Sequence, residues 1–334
     1  MKKVFVTGAT GFIGEKLCYT LADKGFKVMA LYRSEEKAKR LQHNNIELYK
    51  GNISNVAGLE KAINQCDYIY HLAAYASVWA KEKDKFYNLN YTASLEIIEL
   101  AIKHNVKKVV ITSTAGVFGP SKNTDEVDEN TLRYVDYFSQ YEETKDRADK
   151  EILEKCAQKI DVCIVCPSRV YGPGELSESN AVTKIIKMYA RGKFRTIPGN
   201  GNSIGNYVFI DDVVKGMILA MEKGKTGERY LLGGENISFK RLFATLSKLC
   251  GKKYWMIKIP ARLIVGMAQL MLFIANVFNT RPLITPNWAR KYLFNWLVSS
   301  NKAKVHLGYA PISFEEGAGR TLEWLNKGKA GIVL

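Results

Sequence analysis

Tyr141-Glu142-Glu143-Thr144-Lys145 sets a phenol and an ammonium four residues apart, on one face of a helix that would run to about Lys155. A phenol of pKa ~10 is a poor acid–base catalyst at neutral pH. A cation held beside it favours the phenolate and brings the pKa toward the working range. The pair alone is common on surface helices, so its surroundings decide its meaning. Roughly twenty-five residues upstream, the strand Lys107 to Thr112 opens into Thr112-Ser113-Thr114-Ala115-Gly116-Val117-Phe118-Gly119, with hydroxyl groups at its carboxyl end. The phenol and the ammonium, with a hydroxyl from that turn, could together move a proton to or from a substrate oxygen.

The elements that must position this trio begin near residue 4. Val4 to Val6 reads as a short buried strand and Phe12 onward as a helix, with Gly8, Gly11 and Gly14 spaced G-x-x-G-x-x-G between them. Gly8 permits a tight exit from the strand, Gly11 lets the backbone approach a pyrophosphate, and Gly14 lets the helix pack close to the sheet. The helix N-terminus adds free N–H groups and a positive dipole end. Gly8, Thr10, Gly11, Phe12, Ile13 and Gly14 are therefore the expected phosphate-facing segment. Phe26 to Tyr32 reads as the second strand, and Arg33 stands at its end. An acidic residue there would meet the adenosine ribose of NAD; positions 32 to 34 carry none, and an arginine suits the 2′-phosphate of NADP.

Ile46 to Lys50 is the third strand, followed by Gly51-Asn52-Ile53. Asp67 to His71 is the fourth and opens into Leu72-Ala73-Ala74, small enough for a cofactor to lie against the backbone. A long helix, Lys85 to His104, precedes the fifth strand. Strand and helix alternate throughout, which predicts an α/β chain with a Rossmann-type doubly wound parallel sheet.

A chain of 334 residues accommodates one large α/β unit with a smaller lobe. The net charge of +16 is spread along the sequence, with no basic block of the kind that forms a nucleic-acid arm. The six cysteines read as reduced thiols in a cytoplasmic protein. Cys163-Ile-Val-Cys166 lies in a strand-like run, whose alternation would send the two sulfurs to opposite faces, so neither one metal nor one disulfide is expected there. Glycines interrupt the apolar segment after Met1-Lys2-Lys3, which argues against a signal peptide.

Taken in order, T-G-A-T-G-F-I-G, H-L-A-A, T-S-T-A-G-V-F-G, Y-E-E-T-K and P-S-R-V-Y-G-P-G resemble an extended short-chain dehydrogenase/reductase of the NAD-dependent epimerase/dehydratase group. The resemblance runs from Lys2 to about Lys327. It implies that Tyr141 is the general acid/base, that Lys145 binds the nicotinamide ribose and tunes Tyr141, and that Thr114 hydrogen-bonds the substrate oxygen. It also implies that Asn52 and Ile53 lie by the adenine, that Leu72, Ala73 and Ala74 line the cofactor, and that Pro167, Arg169 and Val170 close over the nicotinamide side. Asn52 stands where relatives usually carry Asp. The implied organisation is a dinucleotide-binding domain, 1–167 plus 204–233, and a discontinuous substrate lobe, 168–203 plus 234–330. Asn206 to Ile210 and Asp211 to Glu222 are expected to return as strand and helix to the main fold.

Three readings compete. The first is an NADP-dependent (NAD being the other option) oxidoreductase acting on a ketone or secondary alcohol, as in the dihydroflavonol-reductase-like and hydroxysteroid-dehydrogenase-like branches. The second is a sugar or nucleotide-sugar epimerase or dehydratase; there Gly205-Asn206-Tyr207-Val208 has glycine where such enzymes carry a diphosphate-binding arginine. The third, a non-catalytic dinucleotide binder, needs no proton-transfer trio. The first is adopted, with a small-molecule substrate, no nucleic acid and no metal. A homodimer through the helices Lys85–His104 and Tyr141–Lys155 is the option that relatives suggest. Residues 263–278 form an uncharged stretch flanked by Arg262 and Arg281. They are too short to span a bilayer, and Gln269 and Asn276 would interrupt the apolar surface. Two readings stay open: a helix buried over the cleft, or an exposed apolar face that admits a lipophilic substrate and touches a membrane surface.

Overall fold

Twelve short strands alternate with helices in a computed structural model that describes residues 1–330 apart from 78, 83, 177–179, 279 and 283. In chain order they are β1 (Lys3–Thr7), β2 (Lys27–Tyr32), β3 (Ile46–Lys50), β4 (Tyr68–His71), β5 (Lys108–Thr112) and β6 (Val162–Pro167). Then follow β7 (Arg169–Tyr171), β8 (Thr196–Pro198), β9 (Ile204–Phe209), β10 (Arg229–Leu232), β11 (Glu235–Ser238) and β12 (Ile257–Ile259). Seven of them form one parallel sheet in the order β10-β6-β5-β4-β1-β2-β3. The chain leaves β1 in one direction for β2 and β3, then crosses back to start the other half at β4. The crevice beyond β1 and β4 is thus the topological switch point, where open α/β sheets bind ligands.

Both faces of this sheet are covered over its central strands, which explains why these read as nearly continuous apolar runs, while the edge strand β3 has no buried residue. Val4, Val6, Cys163 and Val165 face one core, while Phe5, Ile164 and Cys166 face the other. The C-x-x-C pair is therefore split across the sheet, as alternation requires, and all six cysteines are free thiols.

Two expectations need correction. The segment Lys85–His104 is not one regular helix: a π-turn at Asn88–Thr92 separates Lys85–Tyr87 from Ala93–Lys103. The turn presents the buried Asn90 amide to groups outside the helix, a common use of π-bulges. In addition, β9 does not join the seven-stranded sheet. It pairs with β7 and β11, and its register is held by the buried Asn206. Asn206 Nδ2 donates to Asn236 Oδ1 at 2.7 Å, and its Oδ1 accepts from the Gly234 amide at 2.8 Å. The helix that follows, Ile210–Lys223, does pack on β5 and β6. Residues 204–233 thus contribute to both sheets.

Glycine's lack of a side chain matters most at Gly14, where a Cβ would lie 2.1 Å from the Gly8 carbonyl oxygen. Gly14→Ala should therefore lower stability by about 1–3 kcal/mol through overpacking. Gly266 sits in the helix Ala261–Val277 with open space where its Cβ would be. Gly266→Ala should raise stability by roughly 0.5–1 kcal/mol from helix propensity alone. Urea midpoints of the two variants check the contrast, and similar midpoints would show that Gly14 is not a contact glycine.

Candidate active site

The turn after β1 holds Gly8 at φ +70°, a conformation that glycine adopts freely. A Cβ there would lie 2.8 Å from the Ala73 amide nitrogen, so the turn after β4 passes directly over it. Thr7 fastens the two turns. Its Oγ accepts from the Leu72 and Ala73 amides at 3.1 Å each, which leaves its own proton for His71 Nδ1 at 2.8 Å. His71 Nε2 then donates to Ser94 Oγ at 3.1 Å, and Ser94 donates to the Asn90 carbonyl at 2.8 Å. This relay requires a neutral imidazole. Burial, with Lys145 adding to it, pushes the His71 pKa down to about 3. The helix Phe12–Asp23 starts at Gly11 with no side-chain cap, so its first-turn amides are free for an anion.

The three hydroxyls at the end of β5 have separate tasks. Ser113 is buried and donates to Asp149 Oδ2. Thr114 is half-buried, and its Oγ accepts from the Gly116 amide at 3.2 Å, which leaves its proton available. Thr112 Oγ is buried without a partner. The helix Gln140–Lys155, N-capped by Ser139, carries Tyr141, Lys145 and Asp149 four residues apart on one face. Tyr141 is half-buried, whereas Lys145 and Asp149 are fully buried. Lys145 Nζ and Asp149 Oδ1 have no hydrogen-bond partner.

Burial pulls the Lys145 ammonium below its usual range, opposed by Asp149. Burial likewise raises Asp149 to about 6, against the pull of Lys145 and the Ser113 bond. Tyr141 departs from expectation: burial, followed by Asp149 and Glu142, drives its phenol well above the ordinary value rather than down. Desolvation and the two carboxylates all favour the neutral phenol.

Other residues that hold this helix left no sequence signal. Asn90 Oδ1 accepts from the Tyr75 amide at 2.7 Å, and Nδ2 donates to Thr144 Oγ at 3.2 Å, joining the turn after β4 to the segment between Tyr141 and Lys145. Glu142 is buried between Arg133, at 3.0 Å from its Oε2, and Lys291. Arg133 also donates to the Gly116 carbonyl at 2.6 Å. Each of these side chains pairs with a group far away in sequence, and only the fold reveals the pairing.

The remaining predicted positions line the same edge of the sheet. Arg33 is exposed at the end of β2. The acid nearest to it in sequence, Glu35, is held by Lys50 at 2.8 Å. Asn52 is exposed beyond β3, where its Oδ1 accepts from the Ser54 amide at 3.2 Å, with Ile53 half-buried beside it. Thr10 and Ile13 are half-buried, and Phe12 is buried against Gly174 of the loop after β7. Leu72, Ala73 and Ala74 are half-buried in the turn over Gly8. Pro167 ends β6, and Val170 is buried in β7. Arg169 reaches Tyr207 Oη at 3.3 Å and fills the space over Gly205, where a Cβ would be 2.1 Å from its Nη1. A guanidinium thus occupies the place that the glycine seemed to leave vacant, supplied from β7 instead of β9.

The sequence model for the NAD dependent epimerase/dehydratase family matches residues 4–233. The chain belongs to that family. It is 28% identical to a Synechocystis protein provisionally named a dihydroflavonol 4-reductase, over 96% of this chain and 93% of that one. It is 24% identical to the decarboxylating sterol-4-alpha-carboxylate 3-dehydrogenase of Dictyostelium discoideum, over 95% and 99%. Among solved structures, the UDP-glucose 4-epimerase of Thermotoga maritima matches with a TM-score of 0.81 at 25% identity, covering 98% of this chain and 99% of that one. The protein is an enzyme of the extended short-chain dehydrogenase/reductase class.

Enzymes of this family bind a nicotinamide dinucleotide, and the residues here fit one. The contact glycines leave no side chain over the turn, the Phe12–Asp23 helix offers uncapped amides, and Lys145 Nζ is a buried donor without an acceptor. A ribose hydroxyl would satisfy that ammonium.

Asp149 supplies a test of the charge balance. Between its unfolded value near 3.8 and its folded value of about 6, the native chain holds a proton that the unfolded chain has lost. Its contribution to stability therefore falls as pH rises through that window. Without bound cofactor, Asp149→Asn should gain about 1–3 kcal/mol relative to wild type between pH ~4 and ~7. Urea unfolding across that range measures this, and a pH-independent difference would show that Asp149 ionises normally.

Proposed function

We propose that this enzyme is an NADP-dependent oxidoreductase that interconverts a ketone and a secondary alcohol on a lipophilic small molecule. The observation that carries the reading is the grouping of a free Thr114 hydroxyl, a half-buried Tyr141 phenol and an unpartnered buried Lys145 ammonium beyond a dinucleotide-binding turn. NADPH, when bound, supplies the hydride. Tyr141 gives its proton to the carbonyl oxygen, and Thr114 donates a hydrogen bond to the same atom. Lys145 then stabilises the phenolate left behind. In the ligand-free chain burial holds the Tyr141 phenol above its ordinary value, so donation depends on Lys145 stabilising the phenolate that forms. The sterol substrate named for the Dictyostelium relative supports a lipophilic ketone or alcohol.

The second reading, a nucleotide-sugar epimerase, is favoured by one observation. Arg169 places a guanidinium over Gly205, where an arginine of β9 would otherwise grip a substrate diphosphate. The two are separated by following nicotinamide absorbance during turnover. A reductase consumes NADPH stoichiometrically with a ketone, whereas an epimerase converts a UDP-sugar with no net change.

Tyr141→Phe should lower kcat by about 10²–10⁴, the usual worth of a positioned acid, with little change in NADPH affinity. Wild-type turnover in that variant would remove Tyr141 from the chemistry. Arg33→Ala should weaken NADPH binding by tens of fold, matching the roughly 1.5–3 kcal/mol of a charge-assisted contact, and leave NADH nearly unchanged. Titration of nicotinamide fluorescence with both cofactors checks this, and equal losses would show that Arg33 does not read the 2′-phosphate.

A further inference from the structure

The helix Ala261–Val277 inverts the usual arrangement of a surface helix. Its inward face carries the small residues Ala268 and Ala275, both buried. Its outward face carries Leu263, Met267, Leu270, Phe273, Ile274 and Val277, with Phe273 66% and Leu270 60% exposed. These positions recur at three- and four-residue steps, so they form one continuous apolar stripe turned to solvent. The side chain of Asn276, expected to share a polar stripe with Gln269, lies outside the described residues. Just before this helix, Trp255 is 81% exposed.

The charge around this stripe is one-signed. From Asn236 to Phe314 the sequence contains twelve lysines and arginines and no aspartate or glutamate. Lys291, Lys302, Arg241 and Lys248 are used in ion pairs with acids from outside that stretch. Lys252, Lys253, Lys258 and Arg262 are exposed, and among the described residues none of them pairs with a carboxylate. An apolar stripe bordered by unpaired cations and an exposed tryptophan is complementary to anionic headgroups over hydrocarbon. A protein partner would find no acid here to pair with its own cations.

We propose that the outward face of the helix Ala261–Val277 docks this enzyme in the plane of an anionic bilayer. The helix lies on the membrane and does not cross it. Its 17 residues span about 26 Å at ~1.5 Å per residue, short of the ~30 Å hydrocarbon core, and no helix among the described residues is long and apolar enough to cross. Docking also brings the segment that follows the turn after β4 close to the lipid. Arg281, just beyond the helix, donates to Ser77 Oγ at 2.6 Å, in the segment that follows Leu72-Ala73-Ala74. The surface is independent of which carbonyl is reduced, so activity on a water-soluble ketone without lipid tests the reaction separately.

The experiment is flotation of the full chain with vesicles of phosphatidylcholine alone or of phosphatidylcholine with phosphatidylglycerol. Wild type should float with the anionic vesicles and much less with the neutral ones, and high salt should weaken the binding. The doubly substituted Leu270→Glu, Phe273→Glu protein should bind at least about tenfold more weakly at an unchanged urea midpoint, because both side chains are already exposed. Lys252→Glu with Lys253→Glu should reduce binding to anionic vesicles only. Trp255 emission should shift to the blue on binding. No flotation with anionic vesicles at low salt would overturn the proposal, as would unchanged binding by the Leu270, Phe273 variant. So would a wild-type dimer that this variant converts to monomer without any vesicle binding, since the stripe would then face a second copy.

Discussion

The closeness of two backbone turns governs this molecule. The turn after β1 and the turn after β4 meet with no room for a side chain at Gly8, and the Thr7 hydroxyl holds both by accepting two amides. The meeting is possible because β1 and β4 are adjacent parallel strands at the point where the sheet changes direction. All strands of the sheet then end at the same edge. The hydroxyl-bearing turn after β5 and the loop after β6 arrive beside the glycine turn without any further device. The His71 relay extends the same fastening to the π-turn, and Asn90 extends it to the helix that carries Tyr141 and Lys145. One contact between turns is thus passed along, bond by bond, to the groups proposed to move a proton.

The second organising feature is charge placed where water is absent. Burying a cation without a partner costs several kcal/mol, yet Lys145 Nζ has no hydrogen-bond partner among the described residues. Asp149 offsets the charge from one turn away, and its own carboxyl is raised in consequence of the same burial. The two shifts have one cause, a dry interior that disfavours both charged forms. A polar ligand that supplies an acceptor to Lys145 would relieve the imbalance, so part of the site's discomfort in isolation is affinity for what it binds.

Much of this was legible in the sequence, and the boundary of legibility has a physical meaning. The first five strands lie within one residue of their expected starts, because four of them are largely buried apolar runs and the fifth, the edge strand β3, stops at Gly51. The trio could be picked out because its spacing follows helical geometry and its context follows strand order. His71, Ser94, Asn90 and Asp149 were not picked out, since the bonds that give them their roles, Thr7 to His71, His71 to Ser94, Asn90 to Thr144 and Ser113 to Asp149, join residues 23 to 64 apart. The π-turn was invisible because its cause is Asn90 reaching across to Tyr75 and Thr144. The direction of the Tyr141 shift was misread because spacing places the ammonium but says nothing about how dry its surroundings are. Arg169 was named for the cofactor loop, and only the packing of β7 on β9 revealed that it covers Gly205.

Glu142 has a broader consequence. It sits immediately after Tyr141 and is clamped between Arg133, nine residues before it, and Lys291, far along the chain. The C-terminal part of the chain therefore also holds the backbone that presents the phenol. Lineages that remodel that part are not free to change it as an independent module. Any drift in how Lys291 seats is felt one residue from the proposed proton donor, which ties change in the one to change in the other.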